Sequence, residues 1–199
     1  IGLIPLGFTE IWSASFNSAI IISAGDNAEF IAFCGINLDI TIFNKENVYL
    51  PAFLKTYPFL NVEVENKDKK VNSLIAIDNN PKYVAKDKKI FILDKEKNLS
   101  KQVATKVELI KELNSQRAVC RRIIAELKKL DLLIKKGLRV KIEGKEEKVI
   151  LEEFYVINIE KLLKLDDKII ASFARKGWMG IFDAHLKSIG NFEKILKAN

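Results

Sequence analysis

Residues that bind metals or form disulfides are scarce in this sequence. It has two cysteines, Cys34 and Cys120, and a single histidine, His185, among its 199 residues. Because a zinc site needs three or four converging ligands, we expect no metal site. The cysteines lie far apart in apolar segments, without a CxxC partner, so we expect two buried, unpaired thiols, which suits a reducing compartment.

Turn-forming residues and long apolar runs are also few. With nine glycines and four prolines the chain shows no linker and no low-complexity tract, and 48% hydrophobic with 30% charged residues is typical of a globular protein. Purely apolar runs such as Ala19–Ile22 are far shorter than the roughly 20 residues that span a bilayer. We therefore expect a single domain over residues 1–199 and no membrane span.

The start of the chain shows no export signal. It opens at Ile1 without a methionine, and no basic segment precedes an apolar stretch, so no signal peptide is visible. We expect a cytoplasmic location rather than the cell surface, and whether residues precede Ile1 stays open.

Positive charge is dispersed along the chain. The net charge is +7, a sign shared with many nucleic-acid-binding proteins. The lysines of 67–70 and 86–89 are nevertheless mixed with Asp68 and Asp87, and neither an RNP-like aromatic motif nor helix-turn-helix spacing is visible. We interpret the lysines as a solvated surface and expect no specific nucleic-acid partner.

The first half of the chain predicts short strands. Segments rich in β-branched and aromatic residues are separated by turn formers, and several alternate apolar with polar positions. These segments are 19–23, 29–34, 39–43, 59–65, 73–78 and 89–94. The pattern favours an antiparallel meander or a small barrel-like sheet.

The second half is dominated by helical periodicity. From Asn98 to Gly137 apolar residues recur every three or four positions, and we expect two helices with a break near Asn114–Ser115, since one rod would be too long. A hairpin around residues 144–147 follows. Asp166 is then expected to cap a helix that ends before Gly177, the next helix runs to Gly190, and Asn191 caps a last turn.

The expected fold class is α+β. It comprises an N-terminal antiparallel sheet of short strands, a helical middle segment, a β-hairpin and C-terminal helices.

Motifs that carry catalysis are missing. No phosphate-binding GxxxxGK[ST] or GxGxxG pattern occurs, so no nucleotide cofactor is expected. A thiol nucleophile would need Cys34 or Cys120 to meet His185 and Asp183, and nothing in the sequence places them together. His185 is therefore open to two interpretations, as a helix residue hydrogen-bonded near a packing interface or as a partner contact.

A short aromatic segment, YLPAFLKTYPF (Tyr49–Phe59), carries four aromatic rings and two prolines. Pro51 suits the first position of a short helix, and Pro58 favours an extended conformation at Tyr57. We expect Phe53 and Phe59 to be core residues and Tyr57 to be mostly buried with a hydrogen-bonded hydroxyl. The alternative is an exposed aromatic docking patch.

Two segments together resemble the bacterial SapC family, named from a protein linked to paracrystalline surface layers. They are VYLPAFLKTYPF and, far downstream, FYVINIEKLLKL with GWMGIFDAHLKSIGNFEKIL; IPLGFTE and FCGINLDI fall on two further family segments. The residues that carry the resemblance are Pro51, Ala52, Tyr57, Pro58, Phe59, Gly177, Ala184, His185, Leu186, Ser188, Gly190 and Asn191. Lys55 and Thr56 stand where the family usually has a basic pair, so we expect no strong anion clamp there.

The resemblance implies a non-catalytic protein that acts through protein contacts in surface-layer assembly or export. Its partner would be a protein or peptide, such as a surface-layer or secretion component. The alternative it leaves open is an enzyme or enzyme-accessory protein that binds a peptide or protein substrate. The residues predicted to contact the partner are Pro51, Lys55, Tyr57, Pro58, Trp178, His185 and Ser188, and no catalytic, cofactor-binding or metal-binding residue is predicted.

Overall fold

The computed structural model describes residues 2–36, 48–65, 71–80, 91–140 and 147–197. The strands are β1 (Gly2–Pro5), β2 (Ala19–Ser23), β3 (Phe30–Gly35), β4 (Phe59–Glu65), β5 (Val71–Ile77), β6 (Leu133–Val140) and β7 (Lys148–Ile157). The helices are α1 (Ile11–Ala14), α2 (Ala52–Thr56), α3 (Lys101–Lys129), α4 (Ile159–Leu162), α5 (Asp167–Arg175), α6 (Trp178–Ser188) and α7 (Asn191–Lys197). The mixed α+β class and the order of its parts are confirmed.

The chain divides into two compact units. Unit 1 consists of Ile1–Pro51 and Gln116–Asn199, and unit 2 consists of Ala52–Ser115. Helix α3 begins in unit 2 and ends in unit 1. The expectation of a single domain over residues 1–199 stays a prediction.

Unit 1 is built on a five-stranded antiparallel sheet in the order β1-β3-β2-β7-β6. The C-terminal hairpin therefore joins the N-terminal strands beside β2, which sequence reasoning did not foresee. β2 lies in the middle and reads AIIIS, with four of its five residues buried. A continuous β-branched run suits a strand that is covered on both faces.

Aromatic rings fill the space between this sheet and the C-terminal helices. Phe192 of α7 lies 5.1 Å from the ring centre of Phe33 on β3 and 5.7 Å from that of Phe154 on β7. Phe173 of α5 meets Phe182 of α6 edge to face at 5.6 Å. Such aromatic pairs stabilise a fold by more than the apolar area that they bury would predict. This aromatic layer therefore helps to hold the helices on the sheet.

Helix α3 is continuous over 29 residues, so the expected break near Asn114–Ser115 is wrong. Asparagine and serine cost a helix only a few tenths of a kcal/mol each relative to alanine, about the spread of ordinary residues. The neighbouring turns bury Leu113 and Cys120, and this packing outweighs the weak local preference.

The helix also ends earlier than expected, because residues 133–137 belong to strand β6 instead of helix, while residues 138–140 of β6 fall in the predicted hairpin. Asp131 has a positive φ of 53°, which stops the helix, and Leu133 then pairs with Ile157 of β7. Gly137, expected to follow the helix end, lies where the β6–β7 register shifts. A Cβ atom there would come within 3.0 Å of the Glu152 carbonyl oxygen, so glycine permits the close approach.

Unit 2 contains α2, the hairpin of β4 and β5, and the first half of α3. Phe59 of β4 packs against Val103 and Ile110 of α3, with Val107 beside them. The strand expected at 89–94 is wrong over its described part, where only an isolated bridge joins Leu93 and Leu99. The carboxylate of Asp94 accepts hydrogen bonds from two backbone N–H groups further along and folds the segment into a turn. The strand expected at 39–43 lies outside the described residues.

The C-terminal helices follow the sequence closely. The carboxylate of Asp166 accepts a hydrogen bond from Lys168 N at 2.8 Å and caps α5, as predicted. Gly177 separates α5 from α6 with a φ of +72°, a conformation that glycine adopts at little cost.

Asn191 does not cap the last helix as expected, but is its first residue. Its side-chain amide donates hydrogen bonds to the carbonyl oxygens of Ser15 (2.7 Å) and Ser18 (3.1 Å) instead. A side chain that joins distant parts of the chain in this way cannot be recognised from local sequence.

Candidate binding surface

The aromatic segment Tyr49–Phe59 is folded into unit 2 only in part. Phe59 is a core residue, 7% exposed, as expected. Phe53 is only half-buried, so the expectation for it is wrong. The five-residue helix α2 buries Ala52 and Thr56, which lie four residues apart on one face, and Phe53 falls on the neighbouring face.

Tyr57 is half-buried, and its hydroxyl donates a hydrogen bond to the carboxylate of Asp78, as the sequence led us to expect. This bond is the main reason why the pKa of Asp78 lies below its ordinary value. The ammonium of Lys106 on α3 donates to the carbonyl oxygens of Lys55 (2.7 Å) and Tyr57 (2.9 Å). Partial burial lowers the pKa of Lys106. The segment is thus fixed to α3 through its backbone, and Lys106 is a contact that the sequence did not reveal.

The hairpin that follows carries an apolar face that is open to solvent. β4 and β5 pair antiparallel over seven residue pairs, with Leu60 opposite Ala76 and Val62 opposite Leu74. Residues that face each other across a ladder, and every second residue along a strand, share one face of the sheet. We call the surface formed by Leu60, Val62, Val64, Leu74 and Ala76 the apolar hairpin face; Asn72, which lies opposite Val64, is its one polar residue.

Two of its side chains are among the more exposed apolar groups in the described structure, with Val64 44% and Leu74 53% exposed. Glu63 and Glu65, the charged residues of β4, point to the opposite face because side chains alternate along a strand. The apolar hairpin face is therefore exposed, apolar and uncharged. A surface patch with these properties is often a site of interaction with another molecule.

A second exposed apolar surface, formed by two aromatic side chains, lies in unit 1. Trp12 and Phe16 meet edge to face at 6.1 Å between ring centres, and Phe16 is 66% exposed. Phe16 lines a shallow depression together with Ser13, Asn17, Val48 and Tyr49. None of the lining side chains is charged, so a ligand held here would be uncharged or amphipathic.

The predicted partner-binding residues are distributed over both units, with Lys55, Tyr57 and Pro58 in unit 2 and Pro51, Trp178, His185 and Ser188 in unit 1. Lys55 is exposed, whereas Pro51 is buried and precedes α2 directly. Trp178 stacks on Phe173 at 5.4 Å, and the Lys176 ammonium lies 4.6 Å from the centre of its ring. His185 and Ser188 are fully buried.

His185 lies inside unit 1 and is uncharged at neutral pH. Its Nε2 accepts a hydrogen bond from Ile157 N at 3.1 Å, and no described group bonds its buried Nδ1 within ordinary hydrogen-bond geometry. Burial lowers the pKa of His185 to about 4, and the backbone of Ile20 opposes that shift only in part. The imidazole therefore serves as an acceptor for β7.

The thiols and Asp183 are not arranged around this histidine. Burial raises the pKa of Cys34 to about 11 and that of Cys120 to about 12, so both thiols stay protonated at neutral pH. Both are free and buried, which confirms the prediction for them. Asp183 pairs with Lys187 at 2.8 Å on the surface of α6. Each member of the hypothetical triad thus has other contacts.

Comparison with known families gives one clear result. A model of the SapC family matches residues 1–195. This chain belongs to the SapC family. Comparison with curated proteins and with solved structures gave no match. Within the described ranges no helix is long and apolar enough to cross a membrane, and no three His, Cys, Asp or Glu side chains are grouped to hold a metal ion.

The C-terminal SapC segment has a clear structural task in unit 1. The hydroxyl of Ser188 donates to the carbonyl oxygen of His185 at 2.7 Å and accepts from Ile20 N on β2 at 2.9 Å. His185 accepts from β7, and Asn191 bonds the turn before β2. These side chains fasten α6 and α7 to two neighbouring strands of the sheet.

Sequence reasoning missed a buried ionic cluster in this SapC protein. Glu29 accepts two hydrogen bonds from Arg117, at 3.1 and 2.8 Å, and one from Arg121 at 2.7 Å. Glu10 is also buried and accepts from Gly7 N and the Tyr49 hydroxyl, both at 2.8 Å. Arg117 and Arg121, spaced four apart on α3, were the available signal, but nothing local identified their acceptor.

Proposed function

We propose that this SapC-family protein is non-catalytic and acts through protein contacts in surface-layer assembly or export. The observation that carries the proposal is the apolar hairpin face, which exposes Val62, Val64 and Leu74. Monomeric soluble proteins rarely leave such side chains grouped on one face without a use for them. The involvement of a surface layer rests on the family name.

Further exposed apolar side chains in unit 2 support a docking role. In the described part of unit 2, nine large apolar residues are exposed: Val62, Val64, Leu74, Ile75, Ile77, Phe91, Ile92, Leu93 and Leu99. The fully buried core of a protein interface is formed largely by apolar groups of this kind, surrounded by a polar rim.

The residues predicted to bind the partner remain part of the proposal to differing degrees. Lys55 is exposed and Pro58 immediately precedes β4, so both are placed to contact a partner that covers the hairpin. His185 and Ser188 are buried, and they would act only by holding α6 in place.

Affinity capture from the native cell, followed by mass spectrometry, tests the proposal. We expect the unmodified chain to recover surface-layer or secretion components and Val64→Lys to lose them, because a lysine on the apolar hairpin face must be desolvated on binding. The matched control is Leu163→Lys, which changes a residue of unit 1 that is 74% exposed. Equal recovery by Val64→Lys and the unmodified chain would contradict the proposal.

The alternative of an enzyme-accessory protein that binds a peptide has its own supporting observation, the depression beside Trp12 and Phe16. In the same experiment this alternative predicts that the unmodified chain and the Val64→Lys variant capture an enzyme, and that the Trp12→Ala variant does not.

A further inference from the structure

The edges of a β-sheet expose backbone N–H and C=O groups that can pair with another strand, and soluble proteins protect such edges. In the described part of unit 1 both edges are protected. β1 is only four residues long and ends in Pro5, while β6 carries Lys135, Lys136 and Arg139 and has two shifts of register. Short length, proline, charge and irregular register all discourage pairing with a further strand.

In the described part of unit 2, the hairpin has one protected and one unprotected edge. β4 carries Glu63 and Glu65 toward its end. β5 reads VNSLIAI, with no charge and no proline, and its register with β4 runs without a bulge over all seven pairs. No described residue pairs with its other edge.

The side chains of β5 define what could pair there. Leu74 is 53% exposed on the apolar hairpin face, and Ile75 and Ile77 are exposed on the opposite face. An uncharged, mainly apolar strand is therefore favoured beside β5, since a charge would lose its hydration without gaining a partner. β5 itself has this composition, with Asn72 and Ser73 as its polar residues.

We propose that β5 pairs antiparallel with β5 of a second copy of this chain, with Leu74 opposite Leu74 at the two-fold axis. This register places Ser73 opposite Ile75 and Asn72 opposite Ala76, and it brings no like charges together. The product is a four-stranded sheet in the order β4-β5-β5-β4, in which the uncharged edge is no longer free.

The pairing has a size and a consequence. One strand pair is expected to bury less than roughly 1,200 Å², the lower limit for stable interfaces. We therefore expect a weak dimer with a Kd between about 1 μM and 1 mM. Pairing also places the apolar hairpin faces of the two copies side by side, so that the dimer has twice the apolar surface of one copy. This consequence, unlike the dimer itself, rests on the proposed docking function.

Sedimentation velocity of the full chain at physiological ionic strength, from about 1 to 500 μM around the expected Kd, tests the pairing. The wild-type chain should shift from monomer to dimer. Leu74→Lys and Leu74→Glu should each stay monomeric, because the two-fold axis places like charges directly opposite, and an equimolar mixture of the two should dimerise again. Val64→Lys, which changes β4 instead, should dimerise like the wild type.

Three results would overturn the pairing: a wild-type chain that is monomeric throughout, a Leu74→Lys variant that dimerises normally, or folded Leu74 variants that fail to dimerise when mixed. The docking function fails independently, since it predicts loss of captured partners with Val64→Lys, whose dimer is intact. A dimer without capture, or capture without a dimer, therefore separates the two ideas.

Discussion

The two units of this protein use apolar residues in opposite ways. The largest fully buried side chains of the described structure all belong to unit 1: Phe30, Phe33, Phe173, Phe182, Leu6, Ile11, Ile20, Ile22, Ile123, Ile124, Leu127 and Leu132. Among the residues of unit 2 whose burial is described, the buried apolar ones are Ala52, Phe59, Val103, Ile110 and Leu113, while the hairpin exposes more large apolar groups than it covers. Unit 1 is therefore organised for stability, whereas the described part of unit 2 leaves apolar side chains exposed, as the proposed contact with another protein requires.

The largest effect that sharpens this comparison is expected from Phe33→Ala in the sheet of unit 1. The ring is fully buried and packs against Phe192, so its removal should cost roughly 3–5 kcal/mol of unfolding free energy. Phe91→Ala in unit 2, where the ring is exposed, should change stability by less than about 0.5 kcal/mol. Urea denaturation measures both, and equal losses would break the comparison.

The next largest effect is expected at the ionic cluster of unit 1. Glu29→Ala leaves Arg117 and Arg121 without their common acceptor. It should lower the unfolding free energy by about 3 kcal/mol, because partly buried positive charges lose their counter-charge. Glu108→Ala removes an exposed ion pair with Lys111 and should cost less than about 1 kcal/mol. If the two variants unfold at the same urea concentration, the cluster contributes no more to stability than an exposed ion pair.

The stability of unit 1 should also depend on pH, through His185. The pKa of His185 is about 4 in the folded protein and 6.5 as an ordinary value, so the unfolded chain takes up the proton first as the pH falls. The stability contributed by neutral His185 is complete above about pH 6.5 and is lost toward pH 4, a loss of roughly 2–3 kcal/mol.

His185→Gln keeps an acceptor for Ile157 N and does not titrate. Between pH 7 and pH 4 the wild-type chain should therefore lose more stability than this variant, as followed by urea denaturation at each pH. Parallel losses in the two proteins would show that the histidine is not responsible.

The smallest effect on stability is expected on the apolar hairpin face. Val64→Lys should change the unfolding free energy by less than about 0.5 kcal/mol, since the side chain is already exposed. Val103→Lys, in the small core of the same unit, should cost about 3 kcal/mol or more because a charge would be buried. Thermal denaturation distinguishes the two, and a large loss with Val64→Lys would mean that the face is covered within the molecule.

Local sequence was sufficient where local interactions decide the structure. The bounds of β2 and β4 agree residue for residue with the segments read as strands, and Asp166 caps its helix as expected. β-branched runs, strict alternation and a capping carboxylate act within a few residues, so they can be recognised without knowing the fold.

Distant pairing explains what could not be predicted. Residues 133–137 fit a helical repeat as well as a strand, and pairing with β7 decides the outcome. β1 was not foreseen, because a four-residue strand has little local signal. The alternation of Leu60, Val62 and Val64 predicts an apolar face, but only the structure shows that this face is left exposed. The same holds for Glu29, whose arginine partners lie far along the chain.

Hydrogen exchange followed by mass spectrometry at low micromolar concentration tests most directly whether stability resides in unit 1 and not in the hairpin of unit 2. We expect amides of β4 and β5 to exchange at least about 100-fold faster than those of β2, β3 and β7, since the small core of unit 2 allows local opening while unit 1 stays folded. Equal protection of the hairpin and the five-stranded sheet would contradict the account.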